Sequence, residues 1–297
     1  MTRQELWDMQ YRKRPYLRHA TEEQLRDRIF EIINNQRTLT ERNKIGLLPA
    51  RNGGEFWMSR FSHVLEELGL RGRGVPPISD FAVELRGVCN PIPDVESRLR
   101  RRNNAPYVLR FSKHEFNEQA LSTGHMQISP ASAYDDSAKL RAVRDRELAR
   151  TTFHPAPGAE LITRENQLVK PIAAIKRTTR SPTDYFMYCV SMDYSRRLFH
   201  DFGADSCLLI YDVDEFVTRI IKAVTRKFAD YNVSGNNIVY FDPFDCSKIP
   251  NVCFMKPFSY AYQREFRVTW IPSRPVERLE PFFIQIGSLK NCAELIV

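Results

Sequence analysis

The spacing of apolar residues changes near residue 105 of this 297-residue chain. Before that point, apolar residues recur every three or four positions, which is typical of amphipathic helices. The pattern predicts a helix over 21–35, begun by Thr21 or Glu22, and a second helix over 61–69. A Gly- and Pro-rich stretch precedes a third element around 81–85. We therefore predict that residues 1–104 form a mostly helical region, where a substrate or partner docks.

After residue 105, short apolar runs alternate with turn residues, as expected for strands of about five residues. Two longer amphipathic segments, 137–150 and 214–231, are predicted to be helices. Strands and helices together predict an α+β module over 105–297. The six predicted strands cover 107–111, 185–190, 207–211, 238–241, 266–270 and 282–286.

Composition is that of an ordinary globular protein, with 42% hydrophobic and 27% charged residues. No run of eighteen apolar residues is present, and the first residues carry charges where a signal peptide has an apolar core. We expect a cytoplasmic protein with no membrane partner. The six scattered cysteines lack metal-ligand spacing, so we interpret them as reduced thiols.

Basic residues outnumber acidic ones by 44 to 36, and the excess is larger in the N-terminal third. The densest basic cluster consists of Arg98, Arg100, Arg101 and Arg102. Such a cluster attracts phosphates through non-specific Coulomb forces and indicates a nucleic-acid partner. A solvated helix end is the alternative interpretation of this cluster.

The most informative segment for chemistry is 260–270, where polar residues enter an apolar strand. Side chains alternate along a strand, so Gln263, Glu265 and Arg267 are predicted to share one face. An amide and a carboxylate on one face can orient a nucleophile and stabilise a developing cation. A solvated ladder of charges across strands is the alternative.

Two further positions add candidate chemistry. Arg110 stands in an apolar strand, and a buried guanidinium needs an anionic partner, either a bound phosphate or a structural carboxylate. Ser191 ends a strand, where its hydroxyl can donate into a cleft or belong to a turn. The charged residues of 135–150 are interpreted as a salt-bridged helix surface or as the wall of an acceptor cleft.

Arg110 on a first strand, Ser191 at the end of a middle strand and Glu265 on a late strand resemble the Arg-Ser-Glu pattern of the ADP-ribosyltransferase superfamily. Residues 105–297 resemble more closely a bacterial family of uncharacterised proteins of that fold. The segments that carry this resemblance are Leu121–Pro130, Ala133–Asp136, Cys189–Ser191, Tyr262–Arg267 and Ile284–Gly287. The chain departs from the pattern in having Cys-Val-Ser for Ser-Thr-Ser, and a Tyr-Asp-Asp turn without Asn-Asp-Pro.

The resemblance implies a split β-sheet core, NAD as a substrate and no metal. It implies that Glu265 stabilises the transition state and that Gln263 positions the acceptor. NAD would then be bound by Arg110, Ser191, and Tyr134 or Tyr262, the tyrosines by stacking on a ring.

The expected function is that of a bacterial toxin or phage-defence effector that transfers ADP-ribose to RNA or DNA and is restrained by an inhibitory antitoxin protein. Alternatives are a protein acceptor and a non-catalytic nucleic-acid-binding protein. A third alternative is a magnesium nuclease built on Asp212 with Asp214 or Asp242 with Asp245, although Asp212 is more simply a helix N-cap.

Overall fold

The computed structural model describes residues 1–40, 44–47, 53–77, 92–102, 105–155, 161–171, 174–246 and 248–297. In the N-terminal part, the helix predicted over 21–35 is confirmed, because the Thr21 hydroxyl accepts from the Gln24 amide and caps it. The third element, predicted near 81–85, lies outside the described residues. The elements of this part are α1 (Arg3–Lys13), α2 (Glu22–Gln36), β1 (Arg37–Leu39), β2 (Ile45–Leu47), α3 (Gly54–Leu70) and α4 (Val95–Arg100).

The rest of the chain combines helices with a large antiparallel sheet, so the α+β class is confirmed. All six predicted strands are present, shifted by one or two residues at their ends. Its helices are α5 (His114–Thr123), α6 (Arg197–Asp201) and α7 (Val213–Lys227). Its strands are β3 (Val108–Ser112), β4 (His125–Pro130), β5 (Ala149–His154), β6 (Leu161–Ile162), β7 (Leu168–Val169), β8 (Ile175–Arg180), β9 (Phe186–Ser191), β10 (Ser206–Ile210), β11 (Tyr231–Asn237), β12 (Val239–Phe241), β13 (Met255–Pro257), β14 (Glu265–Pro272), β15 (Phe282–Gln285) and β16 (Ala293–Ile296).

The central sheet splits along one edge of β9. Its main path runs β11-β14-β9-β3-β10-β16, and every neighbouring pair is antiparallel. The first part of β9 pairs with β4, through Phe186 and Met187, whereas its last residue, Ser191, pairs with Leu109 of β3. Strand β15 extends the β4 branch. The two branches therefore diverge near the end of β9.

The helix predicted over 137–150 is wrong. Residues Asp135–Leu148 form turns, and β5 begins at Ala149 to pair with β8. Asp145, Glu147 and Arg150 are buried, which a surface helix would not allow, although the other arginines of this segment are exposed. Tertiary contacts outweigh local helical preference here.

Helix α7 covers the sheet with the apolar face that the sequence predicts. Phe216, Ile220 and Val224 are fully buried in the main core, and Asp212 caps the helix by accepting from the Glu215 amide. The helix ends at Lys227, because Tyr231 already belongs to strand β11. Among the residues that the structure describes, no helix is long and apolar enough to cross a membrane.

The N-terminal helices pack on the sheet module through apolar and ionic contacts. Trp57 stacks on Phe258 with ring centroids 5.4 Å apart, inside a core shared by α1, α2 and α3. Arg28 of α2 is buried and donates to both carboxylate oxygens of Asp242, at 2.7 and 2.5 Å. A buried pair of this kind holds the two parts of the chain in one relative position, since separating the partners would leave a charge unpaired. The five cysteines within the described ranges are free thiols, and Cys89 lies outside those ranges.

Gly124 lies between α5 and β4, and it packs against Gly287, which follows the end of β15. Both have left-handed backbones, with φ values of 69° and 80°. A Cβ atom on Gly124 would overlap the carbonyl oxygen and amide nitrogen of Gly287, whereas a Cβ on Gly287 would meet no atom within 4 Å. Two segments that carry the family resemblance therefore approach each other at backbone distance.

We expect Gly124→Ala to lower the free energy of unfolding by about 2–5 kcal/mol, because left-handed strain and backbone overlap add. Gly287→Ala is the matched control and should cost only the strain, about 1–2 kcal/mol. Urea unfolding of both variants measures the difference. Equal losses would contradict the close approach of the two glycines.

Candidate functional site

The predicted residues Arg110, Ser191 and Glu265 meet at one cavity, on three adjacent strands. Ser191 of β9 is the register partner of Glu265 on β14, and on its other side it pairs with Leu109, the neighbour of Arg110 on β3. The cavity has a volume of about 640 Å³. We call it the Glu265 cavity; it is lined by residues of 109–113, 187–191 and 140–143, with Phe116, Tyr134, Glu147, Phe202, Gly203, Lys256, Gln263 and Glu265.

Arg110 brings a positive charge to the wall of this cavity. Its guanidinium donates to the side-chain oxygen of Asn117 on α5, and Asn117 is itself held by the Ser206 hydroxyl at 2.8 Å. Within the described parts of the chain, no carboxylate forms a salt bridge with Arg110. A half-buried guanidinium with a neutral partner retains donors for an anionic ligand.

Ser191 and Tyr134 add polar groups to the same wall. Ser191 is 5% exposed, and its hydroxyl forms no hydrogen bond with the described residues. Tyr134 ends a short 3₁₀ helix over Ala131–Tyr134 and presents a half-buried ring. Burial raises the pKa of the Tyr134 hydroxyl, so it remains a neutral hydrogen-bonding group. Both side chains can therefore contact a ligand in the cavity.

Glu265 begins β14 with its carboxylate held between two cations. One oxygen accepts from Lys256 Nζ at 2.9 Å, and the other accepts from Arg267 Nε and Nη2 at 2.9 and 2.8 Å. The side chain is buried at the inner end of the cavity. Glu265 and Arg267 do share one face, as predicted, but that face is buried and no solvated charge ladder forms.

Arg267 also binds a second carboxylate, that of Glu147, which precedes β5. Two parallel hydrogen bonds of 2.8 and 2.9 Å join the guanidinium to the two Glu147 oxygens. Lys256 Nζ lies 3.3 Å from Glu147 Oε1, and Arg150 Nη2 lies 2.5 Å from Glu147 Oε2. Arg150 in turn pairs with Asp145. We call this group the ionic cluster; its members are Asp145, Glu147, Arg150, Lys256, Glu265 and Arg267.

The cluster keeps its groups charged although it is buried. Burial disfavours the carboxylate form of Glu265, but Arg267 and Lys256 outweigh this effect and lower its pKa. The pKa of Glu147 is lowered for the same reason, because three cations surround it. Burial disfavours the ammonium form of Lys256, yet Glu265 and Glu147 raise its pKa. Glu265 is therefore ionised at neutral pH.

Asp145 is the exception within the cluster. Burial and the neighbouring charge of Glu147 raise its pKa to about 6, against the opposing effect of Arg150. A helix over this segment would pair Asp145 with Arg141, four residues earlier. In the structure Asp145 binds Arg150, and the Arg141 guanidinium lies 4.1 Å from the ring centroid of Phe30. The predicted pair between Glu147 and Arg150 is present, but both side chains are buried and the segment is not helical, so the interpretation of 135–150 as a surface helix is wrong.

Gln263 lies beside Glu265 but is anchored at both ends of its amide. Its nitrogen donates to the Ala142 carbonyl at 2.7 Å, and its oxygen accepts from Lys256 Nζ at 3.2 Å. One N–H and one lone pair remain for another partner. Gln263 thus fixes the loop around residue 142 against β14, besides lining the cavity.

Tyr262 and the arginines of α4 lie elsewhere. The Arg197 guanidinium carbon lies 3.8 Å from the ring centroid of Tyr262. Tyr262 lines a second cavity, of about 750 Å³. We call it the Arg264 cavity; it lies between the start of α3, residues 193–197 and the turn 261–264.

The cluster Arg98, Arg100, Arg101 and Arg102 lies near the far edge of the sheet. There Arg98 pairs with Glu294 of β16, and the Arg102 guanidinium lies over the Tyr211 ring. Four strand spacings separate β16 from Glu265, about 19 Å.

Three of the four carboxylates of the nuclease alternative have structural partners. Asp212 caps α7, Asp242 binds Arg28, and Asp245 binds Arg60 at 2.9 Å. In the described part of the chain, no group of three or more His, Cys, Asp or Glu side chains is arranged to hold a metal ion.

Two residues of the site were missed by sequence reasoning, Glu147 and Lys256. Lys256 stands in the apolar segment 252–258, which is the same signal that singled out Arg110. A lone cation in an apolar run needs a buried counter-charge. Glu147 gave no comparable signal, because its segment was assigned to a surface helix.

We expect Glu147→Gln to lower the free energy of unfolding by about 3–5 kcal/mol, since it leaves Arg150, Lys256 and Arg267 with too little negative charge. Glu118→Gln is the same change at an exposed position and should stay within about 0.5 kcal/mol of wild type. Urea unfolding followed by circular dichroism measures both. A small loss for Glu147→Gln would show that water or neighbouring groups neutralise the cluster.

Acid should destabilise the protein through the same carboxylates. The pKa values of Glu147 and Glu265 are lower in the folded protein than their usual 4.5. Their ionisation therefore stabilises the fold above about pH 4.5, and this contribution is lost as the pH falls through the folded pKa values. Asp145 has a raised pKa and makes the opposite contribution. Between about pH 6 and its usual pKa of 3.8, lowering the pH stabilises the fold through this group. The urea midpoint of wild type should fall steeply between about pH 4.5 and about pH 2, and that of Glu265→Gln less steeply.

Comparison with known proteins identifies no relative of this chain. No protein-family model, curated protein or solved structure matches the chain. The functional argument therefore depends on the site itself.

Proposed function

We propose that the chain is a NAD-dependent ADP-ribosyltransferase that transfers ADP-ribose to a nucleic acid, acting as a toxin or phage-defence effector. The observation that carries this proposal is the meeting of Arg110, Ser191 and Glu265 on three adjacent strands around one cavity. The divergence of β3 and β4 along β9 supports the resemblance to the split sheet of that superfamily.

The Glu265 cavity suits a dinucleotide in size and charge. Its volume of about 640 Å³ lies within the range of pockets that bury a whole small ligand. Arg110 supplies donors for the pyrophosphate, because its side-chain partner Asn117 is neutral. The Ser191 hydroxyl suits a ribose oxygen, and the Tyr134 ring suits stacking on a base or on nicotinamide. Tyr262 is left out of this assignment, since it faces the other cavity.

Glu265 suits the transition state of nicotinamide release. The bond between ribose C1′ and the nicotinamide nitrogen breaks, and nicotinamide leaves as a neutral molecule with the bonding electrons. The ribose carries a growing positive charge, which a fixed carboxylate stabilises. An acceptor oxygen or nitrogen then bonds to C1′, and its proton passes to water. Lys256 and Arg267 hold the Glu265 carboxylate in place and ionised.

The alternative with a specific observation in its favour is a structural role for Glu265. Its carboxylate already neutralises two buried cations, as a purely structural glutamate would. On that interpretation the protein binds nucleic acid without catalysis, and no NAD is consumed. A protein acceptor is the second alternative, since the chemistry at C1′ is the same for either acceptor.

We expect purified wild type to release nicotinamide from labelled NAD and to transfer label to RNA or DNA. Glu265→Gln should lower nicotinamide release by about 10²–10³-fold, because it removes the charge that stabilises the transition state. The assay uses no added metal and offers RNA, DNA and cell protein in separate reactions. Label on protein alone would replace the nucleic-acid acceptor with a protein one.

Two controls separate catalysis from folding. Glu118→Gln makes the same change on the surface and should keep wild-type activity, and circular dichroism checks that Glu265→Gln is folded. Arg110→Ala leaves the ionic cluster intact and should raise the NAD concentration needed for half-maximal rate by about tenfold or more. Nicotinamide release that survives Glu265→Gln in folded protein would support the structural alternative.

A further inference from the structure

The Arg264 cavity shares a wall with the Glu265 cavity. Gln263 and Glu265 line the Glu265 cavity, whereas Tyr262 and Arg264 line the Arg264 cavity. The end of β9 and the residues after it contribute in the same way, since Ser191 lines the Glu265 cavity and Asp193 lines the Arg264 cavity. The opposite wall of the Arg264 cavity is formed by the N-terminal region, where α3 begins. A ligand in this cavity would therefore lie next to the residues of the proposed reaction.

Arg264 adopts a backbone conformation that arginine rarely takes. Its φ of 48° and ψ of 55° are left-handed, and the only other non-glycine residue with positive φ in the described ranges is Asn166. This conformation ends the 3₁₀ helix over Phe258–Gln263 and starts β14, so consecutive side chains face different cavities. Glycine would take the conformation without strain. A strained arginine immediately before Glu265 indicates a function for its side chain.

Arginines and aromatic rings line this cavity. The arginines outnumber the carboxylates of the lining by four to two, and two of the four are held in close salt bridges. The Arg264 side chain is 65% exposed, and its Nε lies 3.9 Å from Asp193 Oδ2. Because this surface ion pair is weak, a phosphate can replace the Asp193 carboxylate. Phe56 is 46% exposed at the start of α3, and its ring packs edge-on against Trp57. Guanidinium groups bind phosphates, and exposed rings stack on bases.

We propose that the Arg264 cavity binds a nucleotide of a single-stranded nucleic acid, with the phosphate on Arg264 and the base against Phe56. The binding claim rests on the cavity alone, while the identification of this strand as the ADP-ribose acceptor rests on the proposed function. The N-terminal helical region then supplies one wall of the acceptor site. This placement differs from the cluster Arg98 to Arg102, which lies across the sheet.

The test is fluorescence anisotropy of labelled single-stranded RNA of about eight nucleotides, with no NAD present. Arg264→Gly should weaken binding by about tenfold or more and reduce the salt dependence by about one ion. Its thermal stability should equal or exceed that of wild type, because glycine relieves the left-handed strain. Arg274→Ala removes the same charge from an exposed site outside both cavities and should stay within about twofold of wild type.

Phe56→Ala provides a second, independent measurement and should weaken binding by about fivefold or more, whereas Phe56→Leu should keep part of the contact. Wild-type affinity in both Arg264→Gly and Phe56→Ala, or no binding by wild type, would overturn the proposal. Competition by a free nucleoside monophosphate as strong as that by the strand would overturn the assignment to a strand.

Nicotinamide release into water, measured on the same variants, separates this proposal from the proposed function. Arg274→Ala should keep that release as well as strand binding, because Arg274 lies outside both cavities. If wild type binds the strand but releases no nicotinamide, the proposed function fails and the cavity assignment stands. If it releases nicotinamide and both Arg264→Gly and Phe56→Ala bind the strand normally, the cavity assignment fails alone.

Discussion

The bidentate ion pair between Arg267 and Glu147 is the interaction on which the rest of the site depends. It joins strand β14 of the central sheet to the chain that enters β5. Lys256 and Glu265 complete the charge balance around it. An unpaired charge in the protein interior is costly, so these ion pairs must form together as the core packs. The cluster thus determines the path of residues 135–150 and the orientation of Glu265 at once.

The same constraint shapes the Glu265 cavity. Pairing with Lys256 and Arg267 holds the Glu265 carboxylate at the inner end, while Arg110 and Ser191 stand on the neighbouring strands without a carboxylate partner among the described residues. A fixed anion at one position and available donors at another suit a ligand that carries a phosphate and develops positive charge nearby. The left-handed turn at Arg264 then divides this cavity from the second one.

Several elements could be predicted because local chemistry alone determines them. Thr21 and Asp212 cap helices by hydrogen bonds to amides three residues away, and the apolar face of α7 reads directly from its spacing. Strand positions followed from short apolar runs between turns. The segment 137–150 was mistaken for a helix because its charges fit helical spacing, whereas Glu147 also binds Arg267 and Lys256, more than a hundred residues away.

By itself, the sequence determined the α+β class, the positions of six of the sixteen described strands and the candidate group of Arg110, Ser191, Gln263 and Glu265. These depend on periodicity and on polar residues in apolar runs, which are local properties. Only the tertiary structure decided that Glu147 and Lys256 join Glu265, that Tyr262 faces the other cavity, and that Arg98 to Arg102 lie across the sheet. The physical reason is that strand order and buried charge balance are set by contacts between distant segments, which no spacing along the chain records.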